Sequence, residues 1–100
     1  MPKAISDIVS FKGYRIYFWS DEGEPIEPVH IHFSKGRPQK NATKYWINKD
    51  GTIEQVNNNS RIPSKDLRDL EDIIMRYSDE IIKSWKSYFN VEPRYHKDVL

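Results

Sequence analysis

Glu27-Pro28-Val29-His30-Ile31-His32-Phe33-Ser34 alternates strictly between two kinds of side chain. Successive residues of a β-strand point to opposite faces, so Val29, Ile31 and Phe33 share one side, and Pro28, His30, His32 and Ser34 the other. The first set is core material. The second sets two imidazoles side by side, roughly 6.5–7 Å apart at Cα. A one-residue slip would exchange the two sets, so this strand fixes the register of whatever sheet contains it.

Working outward, the strand ends in Ser34-Lys35-Gly36-Arg37-Pro38, a turn that predicts an antiparallel hairpin with Ala42–Asn48. Asp50-Gly51 then separates that run from Thr52–Val56, a strong hairpin signal because both turn residues tolerate positive φ. In the Ala42–Asn48 run, Trp46 falls on one face and Tyr45 and Ile47 on the other, and either face can be the buried one. Upstream, Gly13–Trp19 is dense in β-branched and aromatic residues and apolar on both faces, which predicts a central strand covered on both sides. A leading apolar cluster of Ile5, Ile8 and Val9 reads as a first strand or a strap. The segment from Ser20 to Glu27 reads as a solvated acidic loop, since it lacks the ligand alternation of a calcium loop.

From Ser64 the period changes. Leu67, Leu70, Ile74, Tyr77, Ile81, Trp85 and Tyr88 recur at steps of three and four, an amphipathic helix to about Phe89. Its aromatics, Tyr77, Trp85, Tyr88 and Phe89, read as core. Pro63 suits the first turn, Ser64 is the expected cap, Asn90 the expected C-terminal cap, and Pro93 forbids continuation. One such helix would be roughly 37 Å long at 1.5 Å per residue. The expected fold is therefore α+β: an antiparallel meander of three to four strands packed on one long C-terminal helix. Residues 1–90 form a single domain, and 91–100 a tail that is frayed or laid back on it. Val29, Ile31, Phe33, Leu70, Ile74, Tyr77 and Ile81 are expected between sheet and helix.

Composition narrows the function. With 16 Lys and Arg against 15 Asp and Glu, no global field draws the chain to nucleic acid or membrane. The absence of cysteine removes disulfides, thiolate zinc sites and thiol nucleophiles. No apolar run approaches the roughly 20 residues that span a bilayer, and no signal-peptide apolar region opens the chain, so a cytoplasmic location is expected.

The histidine pair allows four readings. It packs among Tyr17 and Trp19 and hydrogen-bonds locally, or it chelates zinc with a third ligand from His96, Glu24 or Glu27. Alternatively Arg15, Tyr17, Trp19, His30 and His32 form a platform for bases and phosphates, extended by Lys35 and Arg37. Finally, His30 and His32 are the catalytic candidates, acid and base for phosphodiester cleavage, with Arg15 or Lys35 stabilising charge. No phosphate loop or nucleophile motif accompanies them, which favours a non-enzymatic protein without a cofactor. The expected binding residues are Arg15, Tyr17, His30, His32 and Lys35; His30 and His32 are the metal candidates.

These elements, in this order, resemble a small bacterial family catalogued as domain of unknown function 4160. The resemblance rests on Met1-Pro2 with Ile5-Ser6, on Gly13-Tyr14-Arg15-Ile16-Tyr17, and on Pro28-Val29-His30-Ile31-His32. Gly36, Asp50-Gly51 and the proline-initiated helix carrying Trp85 complete it. The usual family form of the strand is Pro-Pro-His-Phe-His; here Val29 replaces the second proline and Ile31 the phenylalanine, and the loop from Asp21 to Glu27 is longer. The family has no established activity, and its members often look like one half of two-gene, toxin–antitoxin-like pairs. Small size, balanced charge and the absence of a catalytic motif point to a non-enzymatic interaction module with a protein partner or a second copy, while the resemblance bears mainly on the fold. The alternatives are a nucleic-acid-binding or RNA-cleaving protein using the histidine face, and a metal-binding protein.

Overall fold

The structure is a computed structural model that describes residues 2–4, 11–19 and 27–97. The leading apolar cluster, most of the acidic loop (with Glu24) and the last three residues lie outside the described residues. In chain order the elements are β1 (Pro2–Ala4), β2 (Tyr14–Trp19), β3 (His30–Lys35), β4 (Thr43–Ile47), β5 (Ile53–Asn57), α1 (Ser64–Arg76) and α2 (Ser78–Phe89). The strands form one antiparallel sheet in sequence order. Four of them, β2 to β5, make the expected meander, and the three-residue β1 extends it beside β2. Strands consecutive in the chain pair with their neighbours because that closes the smallest loops.

Register follows the alternation. Ile16 lies opposite Phe33, and Ile31 opposite Tyr45. With Tyr14, Phe18 and Ile47 they form the sheet's inner layer, against Leu70, Ile74, Ile81 and Trp85 of the helices. Tyr45 and Ile47 are therefore the core face of β4, and Trp46 lies on the histidine side, opposite His30. Val29, Ile31, Phe33, Leu70, Ile74 and Ile81 are buried as expected, whereas Tyr77 is only half-buried and Tyr88 is exposed. As expected, β2 is an interior strand, flanked by β1 and β3 and buried on both faces, and β3 at the middle of the sheet is buried on both faces as well.

The single long helix expected from the periodicity is instead two, of 13 and 12 residues, meeting at Tyr77. The interruption is local: Tyr77 has φ −104° and ψ 19°, away from helical values. Tyr14 donates to Asp66 near the start of α1, and Tyr45 to Glu71 one turn later. Ser78 comes up against the turn between β4 and β5, and Trp85 returns to Phe18 on β2. Few backbone bonds are lost: Tyr77 N–H donates to Ile73 O and Ile81 N–H to Tyr77 O, both at 3.0 Å. Ser64 makes no capping bond; Pro63 holds the cap position, where its missing N–H costs nothing. Asn90 ends α2 in the left-handed conformation, as a C-terminal cap does.

The β4–β5 turn comes close to α2 at Gly51, where φ is +86° and a Cβ would lie 3.0 Å from Ser78 Oγ. Gly51→Ala combines left-handed strain with that contact. We expect it to cost about 1–2 kcal/mol, measured by urea unfolding. Adding Ser78→Ala should restore only the part due to the contact, because the strain remains.

Candidate functional site

The face opposite the helices carries the residues that the sequence singled out. Tyr17 pairs with His32 across β2 and β3, and their rings stack with centroids 5.7 Å apart. The connection between β3 and β4 folds back over them. Tyr17 donates its hydroxyl proton to Gln39 O and accepts from Gln39 N–H, each at 2.8 Å. His32 Nδ1 lies 3.3 Å from Ala42 O, and His30 Nδ1 lies 2.9 Å from Pro28 O. A carbonyl only accepts, so in both rings Nδ1 carries the proton and Nε2 the lone pair of the neutral form.

Neither ring lies on an open surface: His30 is 0% and His32 4% exposed. His30 also meets the helices, because the indole of Trp85 reaches from Phe18 around the start of β3 to lie 5.0 Å from its ring. The histidines cross at 88° with centroids 5.3 Å apart. Lone pairs on Nε2 with Nδ1–H on a carbonyl is the tautomer that metal ligands use. Among the described residues, however, no third His, Asp or Glu joins them. Glu27 is taken by Lys44 at 3.0 Å, and His96 lies flat on Trp46, 4.8 Å between centroids.

The five residues expected to act together are only partly assembled. Tyr17, His30 and His32 adjoin on the covered face. Arg15, opposite Ser34, is on the same face but exposed at the far end. Lys35 points to the other side: it pairs with Tyr14, and its Nζ lies 5.5 Å from that ring. Alternation along β3 requires this, since Lys35 is three residues from His32.

Two open features were not read from the sequence. One is a cleft of about 250 Å³ lined by Ser34, Lys35, Gln39, Asn59, Ser60 and Arg61. The other, about 190 Å³, is lined by Asn48, Lys49, Asp50, Thr52, Tyr95 and Lys97 where the tail crosses the β4–β5 turn. The tail is laid back on the domain as far as it is described: Val29 N–H donates to Arg94 O at 2.8 Å, and His96 reaches Glu54 at 3.4 Å. Burial pulls the Glu54 carboxyl upward, but bonds from Asn48 and His96 and the charge of Lys97 outweigh it and hold it below its usual value. At the opposite end, the bond from Lys12 holds Asp66 low against its partial burial, aided by Tyr14 and the charge of Lys35.

A family model described as Domain of unknown function (DUF4160) matches residues 13–86, well over half of the chain. The chain belongs to this family. No curated protein and no solved structure matches it. The DUF4160 match runs from the glycine before β2 to the residue after Trp85, and so takes in β2 to β5, α1 and most of α2. The tail that covers Trp46 lies beyond it.

Proposed function

We propose that this protein is a small cytoplasmic interaction module that binds a protein partner along the outer edge of β5, as one member of a two-gene, toxin–antitoxin-like pair. The observation that carries this reading is the state of that edge. β5 is hydrogen-bonded to β4 alone, and among the described residues no backbone group pairs with its outer side. An unpaired edge is a row of donors and acceptors ready to template an added strand. Val56 on β5 is 44% exposed, which gives an added strand an apolar side chain to cover. The opposite edge, β1, has only three residues and offers a shorter register. The burial of His32 under the β3–β4 connection, and of His30 against Trp46 and Trp85, agrees with a binding role, since an acid–base pair must reach its substrate.

The test is to co-express the chain with the protein encoded beside its gene and to follow amide exchange residue by residue. The expected result is a stoichiometric complex in which amides of residues 53–57 slow at least tenfold, and which Val56→Lys weakens. A partner that leaves β5 exchange unchanged, or no complex at all, would overturn the reading.

A further inference from the structure

We propose that the cleft between Lys35 and Arg61 is a binding site for a phosphate group, independent of the β5 edge. Two basic residues line it, Lys35 at the end of β3 and Arg61 in the turn between β5 and α1, with Ser34, Ser60, Gln39 and Asn59 completing the wall. At about 250 Å³ it has room for a phosphate and its first waters. Neither cation has an ion-pair partner within 4.0 Å among the described residues. The nearby Asp66 carboxylate forms its direct ion pair with Lys12 at 3.2 Å, and Lys35 acts on it only through its charge. Arg15 and Arg37, both exposed, lie at the same end of the sheet: Arg15 is opposite Ser34, whose hydroxyl donates to Arg37 O. The chain is nearly neutral overall, yet this end gathers cations, and such concentration makes a local anion site.

The Arg61 turn is built rather than incidental. Arg61 has φ +54°, a left-handed conformation that an arginine adopts at a cost and that glycine would adopt freely. The turn is bolted to the sheet from several directions. Thr43 N–H donates to Ser60 Oγ, Ser60 N–H to Thr43 Oγ1, and Ser60 Oγ–H to Phe33 O, each at 3.1 Å. Asn58 Oδ1 accepts from Thr43 Oγ1 at 2.8 Å and from Ile62 N–H at 3.1 Å, while Asn58 Nδ2 donates to Ile62 O at 3.0 Å. A guanidinium on so fixed a backbone loses less freedom on binding, and its planar fork suits the oxygens of a phosphate. The phosphate can be free, part of a nucleotide, or part of a single-stranded RNA whose backbone continues past Arg15 and Arg37. The cleft chemistry is common to all three.

The experiment is an NMR titration of the full chain with inorganic phosphate, a nucleoside 5′-monophosphate and a short single-stranded RNA, each at low salt. Saturable shifts confined to residues 34–39 and 59–61 with at least one ligand are expected. Arg61→Gly and Lys35→Gln should each weaken binding about tenfold or more, the effect of losing a charge-assisted hydrogen bond. Arg61→Gly suits the backbone at that position, so its thermal midpoint checks that the fold persists. Arg76→Gln, exposed at the end of α1, should change nothing. Preference for phosphate and mononucleotide assigns a monoester; binding of RNA alone, with a steep salt dependence, assigns a backbone phosphodiester. No saturable binding by any of the three, shifts spread over all the basic residues, or binding that survives both cleft variants would overturn the site.

Discussion

Trp85→Ala is expected to destabilise the protein by about 3–5 kcal/mol, a large part of the roughly 5–15 kcal/mol that holds a domain of this size together. The indole is fully buried, and it stacks obliquely on Phe18 and Phe89 with centroids 4.9 and 4.7 Å away. It also abuts His30, so one side chain joins the helix layer, the inner face of the sheet and the start of the histidine strand. Alanine would leave a cavity walled by rigid rings that cannot collapse into it, which is the costly case. The thermal midpoint should fall by at least about 12 °C at 4 °C or more per kcal/mol. Trp85→Phe makes the contrasting case. Among the described residues Trp85 Nε1 has no hydrogen-bond partner, so phenylalanine forfeits volume but no polar contact. Its expected cost is about 1–2 kcal/mol. Equal losses for the two variants would mean that the indole is held by something other than ring packing.

Stability should also fall on the alkaline side, through Tyr45. Its hydroxyl bridges β5 and α1, donating to Gln55 Oε1 at 2.9 Å or to Glu71 Oε2 at 2.5 Å. Burial first, and the Glu71 carboxylate second, hold this phenol well above its ordinary value. Tyr14 is raised in the same way, by burial and then by Asp66. The sign follows from which state keeps the proton. An unfolded tyrosine ionises near pH 10, while the folded chain retains its proton to higher pH. The contribution is therefore complete below about pH 10 and is lost as pH climbs towards the folded value. Urea midpoints between pH 8 and 11 should stay level and then drop. In Tyr45→Phe the drop should be shallower, and at neutral pH the variant should be less stable by about 1–2 kcal/mol, as for loss of a bond to a charged acceptor. A variant whose pH profile parallels the parent's would show that Tyr45 ionisation plays no part.

Much of this was written in the chain. Period-two alternation at Val29–Ser34 determined which residues face the helices, because a strand has only two faces and turning His30 and His32 there would have moved Ile31 and Phe33 to the opposite side of the sheet. Asp50-Gly51 determined a hairpin, since few residue pairs accept the required φ. The three-and-four spacing from Leu67 to Trp85 determined the helical stripe. Local rules settle these features, and they are also where the family resemblance lies.

What local rules leave open is decided between elements. Periodicity continues unbroken through Tyr77, so it reads as one helix where the backbone at that residue leaves helical values and divides the stripe in two. Nor does it show what covers the second face of a sheet. A polar strand face reads as solvent-exposed, yet the β3–β4 connection closes over Tyr17 and His32, while Trp85 and Trp46 pack against His30. The Lys35–Arg61 cleft joins positions 26 residues apart in the chain, and its left-handed arginine is held by bonds from Thr43, Asn58 and Ser60 that exist only once β3, β4 and the turn are assembled. Charge counted along the sequence averages to nearly nothing. Folding sorts it in space, and only there does one end of the sheet become a place for an anion.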